Sequence, residues 1–144
     1  MNGKKIVKWG GIGLAALCLI YVGSIVWFEA RLGINQPQGA TSLVIATLND
    51  DGERHERVVR LETIDGNSYV AANHWPRAWY HQALDNPNVE VKMPGADSFE
   101  PYEAINVVGE EDSYVREIYS FGFNFRFRTG FPPRYFLRLE PRRA

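Results

Sequence analysis

The chain is poor in cysteine, in net charge and in any metal-ligand pattern. Of its 144 residues only Cys18 is a cysteine, and it lies inside an apolar run, which excludes an internal disulfide and a cysteine-based metal site. Its 16 Lys and Arg nearly cancel 17 Asp and Glu, and there is no basic helix or zinc-type spacing, so nucleic acid is not an expected partner. His55, His74 and His81 fall on separate stretches with no carboxylate pattern joining them, and no metal site is expected.

Charge is absent altogether from Trp9 to Phe28, "WGGIGLAALCLIYVGSIVWF". Roughly 20 residues at about 1.5 Å each span a hydrocarbon core of about 30 Å. Trp9 and Trp27 stand near its ends, where amphipathic rings prefer the headgroup region. The run is long for a signal peptide, and "VWFEAR" offers no small-x-small cleavage site, which favours a retained single-pass anchor in a bacterial-type inner membrane. Lys4, Lys5 and Lys8 precede the span and only Arg31 closely follows it. That bias keeps residues 1–8 in the cytoplasm and places the rest on the outer side. The lipid bilayer, through residues 9–28, is the first expected partner.

Residues 29–41 read as a linker broken by Gly33, Pro37 and Gly39, and residues 42–144 as one folded domain. "SLVIATLN" is a β-branched strand ending at "NDDG". "ERHERVVRLETI" alternates, with Val59 and Leu61 on one face and Arg54 and Arg60 on the other. Asp65-Gly66 is a tight hairpin signal, and "NSYVAA" returns. Pro76 opens a helix, "PRAWYHQALD", which Asn86-Pro87 ends. Trp79 and Tyr80, at helical spacing with Ala83 and Leu84, are core candidates. "NVEVKM" directs Val89, Val91 and Met93 inward, and Pro101 in "SFEPYEAINVV" suggests an edge or a bulge. Glu110, Glu111 and Asp112 start a second helix with Val115, Ile118 and Tyr119 as its buried stripe, and "RYFLRLEP" closes the domain. Three strands, helix, two strands, helix and strand, with short connections, predict a mainly β (α+β) domain: a small antiparallel barrel with two flanking helices.

This order, with "DGNSYVAAN", "AWYHQALDNPNVEV" and "FPPRYFLRLEP", resembles the deazaflavin-dependent nitroreductase family over most of residues 42–141. The resemblance implies a flavin-reductase-like split β-barrel. It implies hydride transfer from a reduced deazaflavin, with FMN as the alternative coenzyme, to a quinone, nitro compound or other hydrophobic acceptor. It also implies, by analogy, pairing into a homodimer. Arg57-Val58-Val59-Arg60-Leu61 matches the family's strand motif except that Arg60 replaces a proline. The family's basic glycine turn is "NDDGE" here, and its acids repel an anionic tail. The family's reductants are cytoplasmic, in tension with an exported domain.

A flavin-type coenzyme carries the hydride itself, so the protein must bind, orient and shield it. Such a site needs cations, an apolar slot and a few hydrogen-bonding groups. Arg57, Arg60 and Arg54 are candidate cations, Arg57 first because it fits the family strand; the alternative is a strand edge guarded by charge. Asn73, His74 and Trp75 stand where a loop meets a helix N-terminus able to favour an anion, and Arg77 reinforces that pull. Arg57, Arg60, Asn73, His74, Trp75 and Arg77 are therefore the expected cofactor-binding set. In "FGFNFRFRTGFPP" the alternation of Phe121, Phe123, Phe125 and Phe127 predicts a strand with one buried aromatic face. The other reading is an aromatic-basic lip at the lipid interface that collects the acceptor. Two functions stay open: a tethered oxidoreductase, or a split-barrel binding or structural module that has lost its coenzyme.

Overall fold

The structure, a computed structural model, describes residues 3–36, 39–75 and 78–142. It comprises two compact units, one of residues up to Asn35 with Gly122–Phe131, the other of Gln36–Phe121 with the segment from Pro132 onward.

The second unit is a closed, wholly antiparallel barrel in the order β1-β2-β3-β6-β5-β4. Its strands are β1 (Ser42–Leu48), β2 (Arg54–Ile64), β3 (Asn67–Ala72), β4 (Asn88–Lys92), β5 (Glu100–Asn106) and β6 (Tyr135–Pro141). The expected fold is the observed one. Asp65 and Gly66, with φ of 50° and 80°, form the turn that lets β3 fold back on β2 with Ile64 opposite Asn67. Both central residues need positive φ in such a turn, which is why Asp-Gly marks it in the sequence.

Strand alternation fills the barrel. Leu43 and Ile45, Val59, Val70, Val89 and Val91, and Leu137 and Leu139 all point inward, and α2 (Ala78–Asp85) adds Tyr80 and Ala83 to the same core. Each such aliphatic side chain contributes about 1.5–3 kcal/mol by leaving water. Trp79 packs against this core, whereas Leu84 is exposed, so the helix buries a narrower stripe than its sequence suggested. Thr47 Oγ1 donates to Gln82 Oε1 at 2.7 Å and ties β1 to α2. Pro101 sits near the start of β5, and closure of the sheet leaves it no edge to occupy; its carbonyl accepts from Arg142 N at 3.0 Å.

A second cluster lies on the outer face of β3 and β6 under α3 (Gly109–Ile118): Tyr69, Ala71, Val107, Val115, Tyr119 and Phe136. Ile118, expected in the buried stripe, is 46% exposed; the apolar contact with the sheet is made by Val115 and Tyr119. Glu110, Glu111 and Asp112 occupy the first turn of α3, the positive end of its dipole. Glu111 also accepts from Tyr69 Oη at 2.9 Å and pairs with Arg138 Nε at 3.0 Å, fastening α3 to the sheet.

The first unit contains α1 (Gly3–Asn35), which from Val7 to Asn35 is long and apolar enough to cross a membrane. The helix continues past Phe28 through the first residues of the expected linker. Its other element corrects the sequence reading. The segment expected as an aromatic strand is a helix, α4 (Phe123–Arg128). Phe123 and Phe127, four residues apart, stack at 6.0 Å on one helical face rather than alternating across a sheet. Gly130 N donates to Phe127 O at 3.3 Å and Phe131 N to Arg126 O at 2.8 Å, both residues at positive φ. That paired closure is the glycine-dependent stop of a helix, followed here by Pro132.

Candidate functional site

The alternation that fills the barrel also separates the expected cations. Arg57 lies opposite Ile45 and shares the inward row with Val59, while Arg60 lies on the outward row with Glu62. They are three positions apart along the strand, an odd offset, so they stand on opposite faces and cannot line one wall. Arg54 is committed elsewhere: its guanidinium pairs with Glu56 and with Glu90 Oε2 at 3.0 Å and lies 4.3 Å over the Phe99 ring. The hydrogen bonds it donates to Glu56, then to Glu90, push its pKa further above the ordinary arginine value. Arg54 is therefore a charge-balanced surface residue.

Asn73 continues the outward row of Tyr69 and Ala71, and it is 94% buried at the end of β3 (6% exposed). His74, half-buried, and Trp75, exposed, follow it in the turn. Arg77, like Pro76, lies outside the described residues. The structure thus gathers Arg60 and Asn73 on one outer surface and sets Arg57 on the other face of β2.

What joins Arg60 to Asn73 is Tyr119, which the sequence reading gave only a packing role. Its hydroxyl donates to the Arg60 carbonyl at 3.2 Å, and the Asn73 side chain hydrogen-bonds to the same hydroxyl. Burial pushes the Tyr119 pKa up to about 12, against the opposing pull of Arg60, Arg134 and the Asn73 bond. The hydroxyl therefore stays neutral at ordinary pH, and its single proton goes to Arg60 O. Asn73 must then present its amide N–H to Tyr119, which leaves Asn73 Oδ1 buried with no hydrogen-bond partner. A buried acceptor without a donor costs about 1–3 kcal/mol.

Two guanidinium groups flank the rings around this network. Arg60 Cζ lies 5.3 Å from the Tyr119 ring centre and 5.7 Å from that of Phe121. Arg134 Cζ lies 5.2 Å from Phe121 and 5.3 Å from Phe136, and its Nη2 donates to the Tyr119 carbonyl. Arg116, held by Asp112 at 2.7 Å, donates to the Arg134 carbonyl at 2.9 Å. Tyr119, Phe136 and Asn73 Oδ1 are buried beneath this surface, Phe121 is half-buried, and Arg60 also pairs with Glu62 Oε2 at 2.8 Å. What lies at the surface is a pair of guanidinium groups over a half-buried ring, with one unmatched acceptor beneath. Arg134 and Tyr119 were missed, though one signal was available: Arg134 stands two residues before Phe136 and so shares its face.

Two other places contrast with this one. The barrel interior is occupied by the core side chains. An open cleft of about 460 Å³ between Gly39–Ser42 and Met93–Ala96 has Lys92 as its one cation and includes none of the expected site residues. Among the described residues no group of three or more His, Cys, Asp or Glu could hold a metal ion.

No protein-family model and no curated protein matches the chain. Several solved structures share its fold. HutZ, the heme storage protein from Vibrio cholerae, is 18% identical over 81% of this chain and 91% of its own, with a TM-score of 0.52. General Stress Protein 26 from Bacillus anthracis is 21% identical over 72% and 81%, with a TM-score of 0.51. PhzG from Burkholderia lata, in complex with tetrahydrophenazine-1-carboxylic acid, is 13% identical over 83% and 75%, with a TM-score of 0.53. At these identities the shared property is the fold, a split β-barrel.

Proposed function

We propose that the chain is a membrane-anchored oxidoreductase whose outer barrel surface around Tyr119 holds a flavin-type coenzyme. The acceptor would be a quinone, a nitro compound or another hydrophobic molecule. The observation that carries the reading is Asn73 Oδ1, a buried acceptor without a donor, on a side chain bonded to Tyr119, whose ring lies 5.3 Å from the Arg60 guanidinium and 5.8 Å from that of Arg134. A flat heterocycle with a ring N–H and an anionic tail supplies what that surface lacks. Arg60 and Arg134 would take the anionic part, the half-buried Phe121 would shield the ring, and a shift of the side chains that cover Asn73 would let Oδ1 accept from the ring N–H. Such a coenzyme brings the hydride chemistry with it, and the chain's own task is to bind, orient and exclude water. The split barrels of HutZ and PhzG, described with heme and a phenazine acid, support a flat conjugated ligand.

Deazaflavin and FMN are the two coenzymes this reading admits. The acids of the β1–β2 turn, Asp50 and Asp51, disfavour a long anionic tail near them. Anchoring through α1 would keep the site close to membrane-soluble acceptors. A homodimer is part of the proposal, and a split-barrel neighbour described as a domain-swapped dimer supports it. The filled barrel favours the second reading, a tethered binding or structural module without coenzyme. Titrating the full chain in detergent micelles with FMN and with deazaflavin, followed by fluorescence, separates them. Saturable binding of either supports the enzyme, and silence with both supports the module.

A further inference from the structure

Rings that a water-facing surface ordinarily hides are bare around α4. Phe123 is 70% exposed, Phe127 46% and Phe131 42%, and the three form one cluster with centroid distances of 5.8–6.4 Å. This cluster is fastened to the apolar helix α1. The Tyr21 ring meets Phe127 at 4.9 Å, and the Tyr21 hydroxyl donates to the Phe127 carbonyl at 2.9 Å. Gly130 approaches so closely that a Cβ there would lie 2.8 Å from Ile25 Cδ1. The Arg128 guanidinium lies 5.3 Å over Phe28, and Arg126 5.4 Å over Phe131.

The contact points locate α4 along α1. Tyr21, Ile25 and Phe28 fall in the second half of the uncharged run, toward its C-terminal end, and the seven steps from Tyr21 to Phe28 at about 1.5 Å each cover about 10 Å of its axis. Interfacial helices bury their apolar face about 5–10 Å into the boundary between headgroups and acyl chains. The fastening therefore holds exposed phenylalanines at the depth where lipid covers such rings, and two arginines where phosphates lie.

We propose that α4 is a second membrane-contacting element, seated in the headgroup layer of the bilayer that α1 crosses. Phe123, Phe127 and Phe131 enter the acyl boundary, and Arg126 and Arg128 meet lipid phosphates. This rests on α1 spanning the bilayer and is independent of any coenzyme. The occupant of the aromatic face is lipid, because α1, to which the face is fastened, is long and apolar enough to cross a membrane and its most apolar stretch is not buried in the protein.

The test uses the unaltered full chain in vesicles of phosphatidylethanolamine and phosphatidylglycerol. Two photoactivatable phospholipids are used, one reactive near the glycerol and one at the acyl terminus, with adducts mapped by mass spectrometry. Adducts from the shallow probe within residues 122–131, well above those on the β1–β2 turn, are expected, with deep-probe adducts around Leu14 to Leu19. Labelling of α1 by the deep probe with no excess on residues 122–131 would overturn the α4 proposal and leave the span intact. Absence of adducts on both would overturn the two together.

Discussion

The Asn73 amide binds the Tyr119 hydroxyl while its own carbonyl oxygen is buried without a donor. The two ends of one side chain thus have opposite fates, one serving the fold and the other left unmatched. Replacing each partner separates these roles. Tyr119→Phe strips the donor from the Arg60 carbonyl and the acceptor from the Asn73 amide, and should destabilise the chain by about 1–3 kcal/mol. Asn73→Ala removes an unmatched acceptor along with one hydrogen bond, so its net cost should stay within about 1 kcal/mol. Chemical denaturation in micelles measures both, and an Asn73→Ala loss as large as that of Tyr119→Phe would mean Oδ1 is satisfied.

Opposite faces of β2 predict opposite outcomes for its two arginines. Arg60→Gln should weaken coenzyme binding about tenfold, the loss expected for one charge-assisted contact. Arg57→Gln, on the inward row beside Ile45 and Val59, should leave affinity nearly unchanged. Fluorescence titration of both variants checks this, and a larger loss at Arg57 would move the site to the other face.

Alkaline pH should unfold the chain through Tyr69 and Tyr119. Burial holds both at about 12 in the folded chain, against 10 when unfolded. The folded state therefore keeps protons that the unfolded state releases between those values. Their contribution is complete below pH 10 and is lost as pH rises through 12. Tyr119→Phe should shallow the fall in stability across that window, which denaturation at a series of pH values reads directly. An equal slope in the variant would show that Tyr119 titrates normally.

Gly130→Ala should loosen α4 by two routes, since φ is 71° and the added methyl would meet Ile25. The backbone route alone costs about 1–2 kcal/mol. Trypsin cleavage after Arg126 and Arg128 should accelerate, and adding Ile25→Ala should recover only the steric part. Full recovery would mean that the backbone conformation carries no strain.

The succession of strands along the chain and their facing were legible because a period of two is visible in short runs such as Val89, Glu90, Val91, and because Asp65-Gly66 fixes a turn locally. The closure of β6 between β3 and β5 depends on distant pairing that no local pattern records. The aromatic tail misled for a definable reason: phenylalanines at 121, 123, 125 and 127 satisfy a strand period, while 123 and 127 also satisfy a helical one. Gly130 followed by Pro132-Pro133 was the signal for a helix stop. At the site, parity placed Asn73 and Arg60 on the outer surface, but Tyr119 reaches them across 46 and 59 positions of chain, a closeness that only folding creates.

The most direct measurement is a paired titration of full-length wild type and Asn73→Ala in micelles with whichever of FMN and deazaflavin binds. Saturable binding by wild type, weakened about tenfold or more in a variant of near-equal stability, is the predicted result. Equal affinity in the two proteins, or no saturable binding by wild type, would contradict the placement of a coenzyme at Asn73.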